Sequence, residues 1–187
     1  NGSGKSTLID LLCGVRPPSS GHVELDGIDL RELRPDSLRE HLAVSRSVEI
    51  FEGTIDENVH MNRPNISAAD VRQALDCVGL LDDLLKLPKG LNTELVTNGA
   101  PLSRGQAHAL VLARAIVGQP RLLLIDGSLD VIADDDLEQV LDRITGDHVP
   151  WTALIATGRE EVIRRGQLQV HLPQHDTAET KEVVSAS

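Results

Sequence analysis

The chain has 187 residues and a mass of 20.2 kDa, with 18 basic and 29 acidic side chains, a formal net charge of −11 and a hydrophobic fraction of 40%. That length and apolar share suit one α/β domain with a real core and exclude general disorder. One Phe, one Trp and no Tyr in an acidic chain exclude an aromatic base-stacking surface and a broad phosphate-backbone surface, so no nucleic-acid partner is expected.

The first seven residues, Asn1-Gly2-Ser3-Gly4-Lys5-Ser6-Thr7, read as the second half of a P-loop, G-x-x-x-x-G-K-[ST]. Glycine there lets backbone N–H groups close around phosphate oxygens, and a following helix directs its positive end at the same place. Lys5 would reach the β- and γ-phosphates and the Ser6 hydroxyl would hold Mg²⁺. The plain alternative is a Gly/Ser turn that caps the helix carrying Leu8, Ile9, Leu11 and Leu12 and stopped by Gly14. The motif's opening glycine and its entering strand are absent, so the chain reads as a fragment that lacks N-terminal strands and is expected to be poorly stable alone.

Farther along, residues 39 to 44 are predicted to run as a strand. Ser67 as N-cap with Asp70, then Val71, Leu75, Val78 and the stop at Gly79, predict an amphipathic helix. Pro101-Leu102-Ser103-Arg104-Gly105-Gln106 opens another, with apolar positions through Val117 and a stop at Gly118 and Pro120. Leu122-Leu123-Leu124-Ile125-Asp126 reads as an interior parallel strand tipped by an acid, which in open α/β sheets falls where ligands bind and where Mg²⁺ would be held. Asp134-Asp135-Asp136 precedes the helical pattern Leu137, Val140, Leu141, Ile144 and is better explained by the helix dipole than by a metal. Trp151 to Thr157 is predicted as a core strand and Gln167 to Leu172 as an edge strand, with a polar tail over 173–187. Cys13 and Cys77 read as buried reduced thiols. The histidines show no metal-ligand spacing, and no apolar run approaches the ~18 residues of a membrane span.

The ordered set resembles a known family, the nucleotide-binding domain of ABC transporters, exporter type. Leu102-Ser103-Arg104-Gly105-Gln106 is similar to the signature motif, with Arg104 where Gly is usual, and Ala113-Arg114-Ala115-Ile116 to its helix. Leu122 to Asp126 resembles Walker B and Ser128-Leu129-Asp130 the D-loop. Ser20 to Leu30 and Phe51-Glu52-Gly53-Thr54-Ile55-Asp56-Glu57-Asn58 are similar to the segments flanking the Q-loop. Thr93 to Gly99 takes the place of the X-loop, although Val96 and Thr97 depart from it. The resemblance covers 1–172. It implies an α/β P-loop NTPase fold, a mostly parallel sheet with flanking helices plus a helical signature subdomain. The implied division is a core at 1–47 and 119–172 and a helical subdomain at about 48–118. It also implies ATP and Mg²⁺ as ligands, with Asn1 to Thr7 as cradle and Ser6 and Asp126 at the metal. Head-to-tail pairing with a second such domain would bring Ser103, Gly105 and Gln106 to the partner's P-loop. A membrane-spanning domain of the same or another chain would place the whole at the cytoplasmic face of a membrane.

Three positions depart from that pattern. Arg46 falls where the Q-loop Gln would coordinate Mg²⁺, and a guanidinium has donors only. Gly127 replaces the catalytic Glu and Gly158 the switch His, so no catalytic residue is intact and binding is expected without efficient hydrolysis. A homodimer would leave both sites without a base, which favours a heterodimer with a competent partner. Two other readings stay open: a regulatory module in which ATP only holds a dimer, and a P-loop ATPase unrelated to transport.

Overall fold

The computed structural model describes residues 4–46, 48–97 and 99–172. Asn1, Gly2 and Ser3 of the cradle, and the tail from 173, lie outside the described residues. In chain order the elements are α1 (Lys5–Leu12), β1 (Glu24–Leu25), β2 (Ile28–Asp29), α2 (Pro35–His41), β3 (Leu42–Ser45), β4 (Gly53–Thr54), α3 (Ile55–His60), α4 (Ala68–Cys77), α5 (Leu81–Leu85), β5 (Glu94–Leu95), α6 (Arg104–Ile116), β6 (Leu122–Asp126), α7 (Asp134–Ile144), β7 (Thr152–Ala156) and α8 (Glu160–Arg165). Single 3₁₀ turns cover Leu30–Glu32, Gly90–Asn92 and Ser128–Val131.

The central sheet is parallel, in the order β3-β6-β7, with Val44 opposite Leu124 and Leu124 opposite Leu154. Side chains alternate across a strand, and here the alternation sorts β6 between two cores. Leu122 and Leu124 join Ile9, Leu12, Leu42, Val44, Leu154 and Ala156 under α1. Leu123 and Ile125 face the larger core, where α3, α4, α6 and α7 pack. Both faces are covered, which is why this strand is a continuous apolar run. Leu123, Leu124 and Ile125 are fully buried, each stabilising by about 1.5–3 kcal/mol.

Local signals place the helices. Ser67, Thr54 and Ser103 each accept a hydrogen bond from the N3 backbone N–H while the N3 side chain (Asp70, Glu57, Gln106) bonds back to the cap. The acids Asp134, Asp135 and Asp136 form the first turn of α7, as the dipole argument expects.

Two expected strands are corrected. Positions 39–41 belong to α2, which Pro35 starts from the extended Arg34, and β3 begins only at Leu42. Residues 167–172 form no strand: Leu168 and Val170 are exposed, and Gln169 Nε2 donates to the Ile163 carbonyl at 2.8 Å. An alternating pattern without a neighbouring strand to pair with does not make a ladder.

Candidate functional site

Gly4 caps α1 in the left-handed conformation (φ 78°, ψ 1°) and its carbonyl accepts from the Leu8 N–H at 2.9 Å. The chain thus enters the helix by a turn that glycine adopts without strain, and Lys5, Ser6 and Thr7 form the first turn. Ile9 on α1 packs on Leu124, so this helix lies along β6, the strand that ends in Asp126.

Register then dictates which side chains meet. Ser45 is opposite Ile125, so Arg46 and Asp126 occupy the next position, on the face toward α1. Arg46 Nε lies 3.2 Å from Asp126 Oδ2 and its Nη1 donates to Asp10 Oδ1 at 2.8 Å. The Nε–H does not point at the Asp126 oxygen, so that contact is an ion pair without a hydrogen bond. Arg16 Nε approaches the other Asp10 oxygen at 3.7 Å. Asp126 is only 11% exposed and Asp10 19%. Behind this cluster, the buried Ser45 hydroxyl donates to Ser128 Oγ at 2.8 Å and Ser128 Oγ donates to the Arg46 carbonyl at 3.1 Å, which pins the backbone from below. Burial pushes the neighbouring Cys13 thiol up, with Arg46 opposing and Asp10 adding.

Beyond Asp126, Gly127 is left-handed (φ 72°, ψ −3°); its N–H donates to the Ala156 carbonyl at 3.1 Å and its own carbonyl accepts from Asp130 at 3.1 Å. The Thr157 hydroxyl donates to Asp130, and Arg159 Nη1 donates to the carbonyls of Leu129 (3.2 Å) and Ile132 (2.7 Å) while Nη2 pairs with Asp134. Gly158 therefore sits in a segment clamped onto the turn at 128–131, and a Cβ added there would meet nothing within 4 Å. Neither glycine brings a base or an acid to the site.

Ser103, Gly105 and Gln106 stand together at the start of α6, with Ser103 exposed. That helix packs on α3, α4, β3 and the turn at 128–131, whereas α1 packs on β6. A second cluster holds the segment after Arg46 onto α6. Arg114 donates to the Asn58 carbonyl (2.7 Å), to Asn58 Oδ1 (3.0 Å) and to the Glu49 carbonyl (2.7 Å), and its guanidinium lies 5.3 Å from the Phe51 ring centroid.

The cluster bears directly on the metal expected at Ser6 and Asp126. Mg²⁺ takes oxygen ligands and is favoured by uncompensated carboxylate charge. Here the Asp126 carboxylate faces a guanidinium, which offers no acceptor. The donor set suits the oxygens of a polyphosphate and does not fit a divalent cation. Asp10 escaped the sequence reading, although its place four residues after Ser6, on the same helical face, was a signal for it.

Comparison with known proteins bears on the fold and the family. Residues 1–129 match the family model described as ABC transporter. The chain is 33% identical over 183 residues, 96% of its length, to ABC transporter B family member 1 of Arabidopsis thaliana. It is 37% identical over 148 residues, 77% of its length, to the ATP-dependent lipid A-core flippase of Neisseria meningitidis. It spans 14% and 24% of those two relatives. A bacterial Atm1-family ABC exporter solved with ATP bound superposes with a TM-score of 0.80 at 27% identity, over 86% of this chain and 29% of that one. The parallel sheet with helices on both faces is thus the fold of an ABC exporter's ATP-binding part, and the chain belongs to the ABC transporter family.

Proposed function

We propose that the chain is the nucleotide-binding domain of an ABC exporter that holds ATP at its own P-loop and hydrolyses it poorly. The observation that carries this reading is the end of β6: Asp126 lies beside α1, and the next residue, where a general base would stand, is the left-handed Gly127. Asn1 to Thr7 would cradle the phosphates, with Lys5 on the outer ones. Ser103, Gly105 and Gln106 would complete the P-loop site of a second nucleotide-binding domain paired head to tail, most usefully a different and competent one, since two copies of this chain would both lack the base. The division into a core at 1–47 and 119–172 and a helical subdomain at about 48–118 belongs to the same proposal, as do a membrane-spanning partner and a place at the cytoplasmic face of a membrane. No helix among the described residues is itself long and apolar enough to cross one.

The test is turnover in the full-length protein with its partner, after the partner's P-loop lysine is replaced by Ala so that only this chain's site can act. ATP photo-crosslinking is expected at this chain and lost in Lys5→Ala. Hydrolysis is expected to run ~10²–10⁴ below that of a base-assisted site. Turnover at the rate of the competent site, or no Lys5-dependent crosslink, refutes the proposal.

A further inference from the structure

We propose that the Arg46 guanidinium is the resident counter-cation of this P-loop site, standing where a divalent metal would be held, so that the site takes a nucleoside triphosphate without metal. The inference rests on the nucleotide reading above and adds a ligand specificity to it.

Register, charge and anchoring carry it independently. Register puts Arg46 one step past the Ser45–Ile125 pair, on the same sheet face as Asp126, so the guanidinium reaches the acid because of how β3 and β6 pair. As for charge, Arg46 meets both Asp10 and Asp126, and Arg16 approaches Asp10 as well. Both acids face a guanidinium before any ligand arrives, and a metal ion there would add repulsion against Arg46 in place of attraction to Asp126. The anchoring is the chain of buried hydroxyls from Ser45 through Ser128 to the Arg46 carbonyl, which fixes where the side chain starts.

What remains of the guanidinium suits a phosphate. Nη1 donates to Asp10, Nε lies near Asp126 without a hydrogen bond to it, Nη2 makes no hydrogen bond among the described residues, and the side chain as a whole is 38% exposed. A planar cation with unused N–H groups binds phosphoryl oxygens through charge-assisted hydrogen bonds. It would do so from a position fixed before the ligand arrives.

The test is equilibrium binding of a fluorescent ATP analogue to the purified full-length protein, in excess EDTA and in excess magnesium, counting only the binding that Lys5→Ala abolishes. The wild type is expected to bind in EDTA at least as tightly as in magnesium. Arg46→Gln is expected to lose about tenfold in EDTA and to become about tenfold tighter with magnesium than without. Asp126→Asn gives a second sign that does not depend on how Arg46→Gln folds. By releasing the guanidinium from its carboxylate it makes metal-free binding tighter, whereas removal of a metal ligand weakens the magnesium arm alone. Wild-type binding about tenfold tighter with magnesium, or an Asp126→Asn loss confined to that arm, overturns the inference and keeps the nucleotide reading. Absence of any Lys5-dependent binding overturns both.

Discussion

Putting a side chain back at position 127 is the obvious way to look for lost catalysis, and the backbone says it will cost stability whatever the side chain is. Gly127 has φ 72° and ψ −3°, a conformation that places an L-residue's Cβ against its own carbonyl and costs roughly 1–2 kcal/mol. Space is not the obstacle, since the nearest atom to an added Cβ is Asp130 Oδ2 at 3.9 Å. The penalty is therefore conformational, and Gly127→Ala should suffer it as fully as Gly127→Glu. The turn cannot relax freely, because the Gly127 N–H is bonded to Ala156 and its carbonyl to Asp130. A loss of one to two kcal/mol corresponds to about 5–30-fold more frequent opening. Hydrogen–deuterium exchange of peptides covering 122–130 in the full-length protein reads that factor directly, as faster exchange in both variants. Gly158→His is the control: Gly158 has no left-handed φ and open space around it, so exchange there should stay within about 0.5 kcal/mol of wild type. A Gly127→Ala protein that exchanges as slowly as wild type, or more slowly, refutes the reasoning. Elsewhere, replacing glycine by alanine at a compatible backbone is stabilising by about 0.4–1 kcal/mol.

Further predictions concern the scaffold around the site. Arg114→Met strips hydrogen bonds from Asn58 and from the Glu49 carbonyl and should cost about 3 kcal/mol or more, read as faster exchange across 48–60; Arg114→Lys should not rescue it, since an ammonium cannot fork between those acceptors. Ser103→Ala removes the cap on Gln106 N–H and should loosen the first turn of α6 by about 1 kcal/mol, with exchange beyond Leu110 unchanged. His108 has its imidazole pKa lowered, chiefly by burial and then by Arg104. The unfolded chain therefore binds more protons below the ordinary value of 6.5, and stability should fall as pH drops through and below that value. His108→Leu should flatten this part of the profile in acid unfolding. Asp29, bonded through its carboxylate to Arg31, has a pKa of about 2 where 3.8 is ordinary; a carboxyl NMR titration should show that midpoint, moving back up in Arg31→Ala.

What the sequence made legible was local. The caps at Ser67 and Ser103, the apolar strand ending at Asp126 and the acids opening α7 each announce themselves within a few residues, because the forces responsible act over one helical turn or one strand period. The meaning of Arg46 was not local. Its identity showed that a metal ligand was missing, but its contact with Asp126 depends on the register between strands far apart in sequence, and that register is set by the two cores packing on opposite faces of β6. The conformation of Gly127 was hidden for a related reason: a glycine in sequence shows that a carboxylate is absent and is silent on whether the backbone could carry one. The expected strand over 167–172 failed because alternation records a preference for two faces and cannot supply a partner.

The departures at 46, 127 and 158 are tied together by one hydrogen-bonded turn, which changes how repair should be attempted. Ser128, the residue after Gly127, donates to the Arg46 carbonyl; Asp130 donates back to Gly127 and accepts from Thr157; Arg159 grips the carbonyls of Leu129 and Ile132. A Glu at 127 either bears the left-handed penalty or leaves that region, and leaving it disturbs the same turn that holds the Arg46 backbone. The double variant Gly127→Glu with Gly158→His should then remain slow, because the guanidinium still occupies the acid. Adding Arg46→Gln should bring the ~10²–10⁴ that base assistance supplies, measured in the full-length protein with the partner's P-loop lysine replaced. If the double variant alone recovers that rate, the three positions are independent losses and the ion pair at Asp126 is no obstacle to the chemistry.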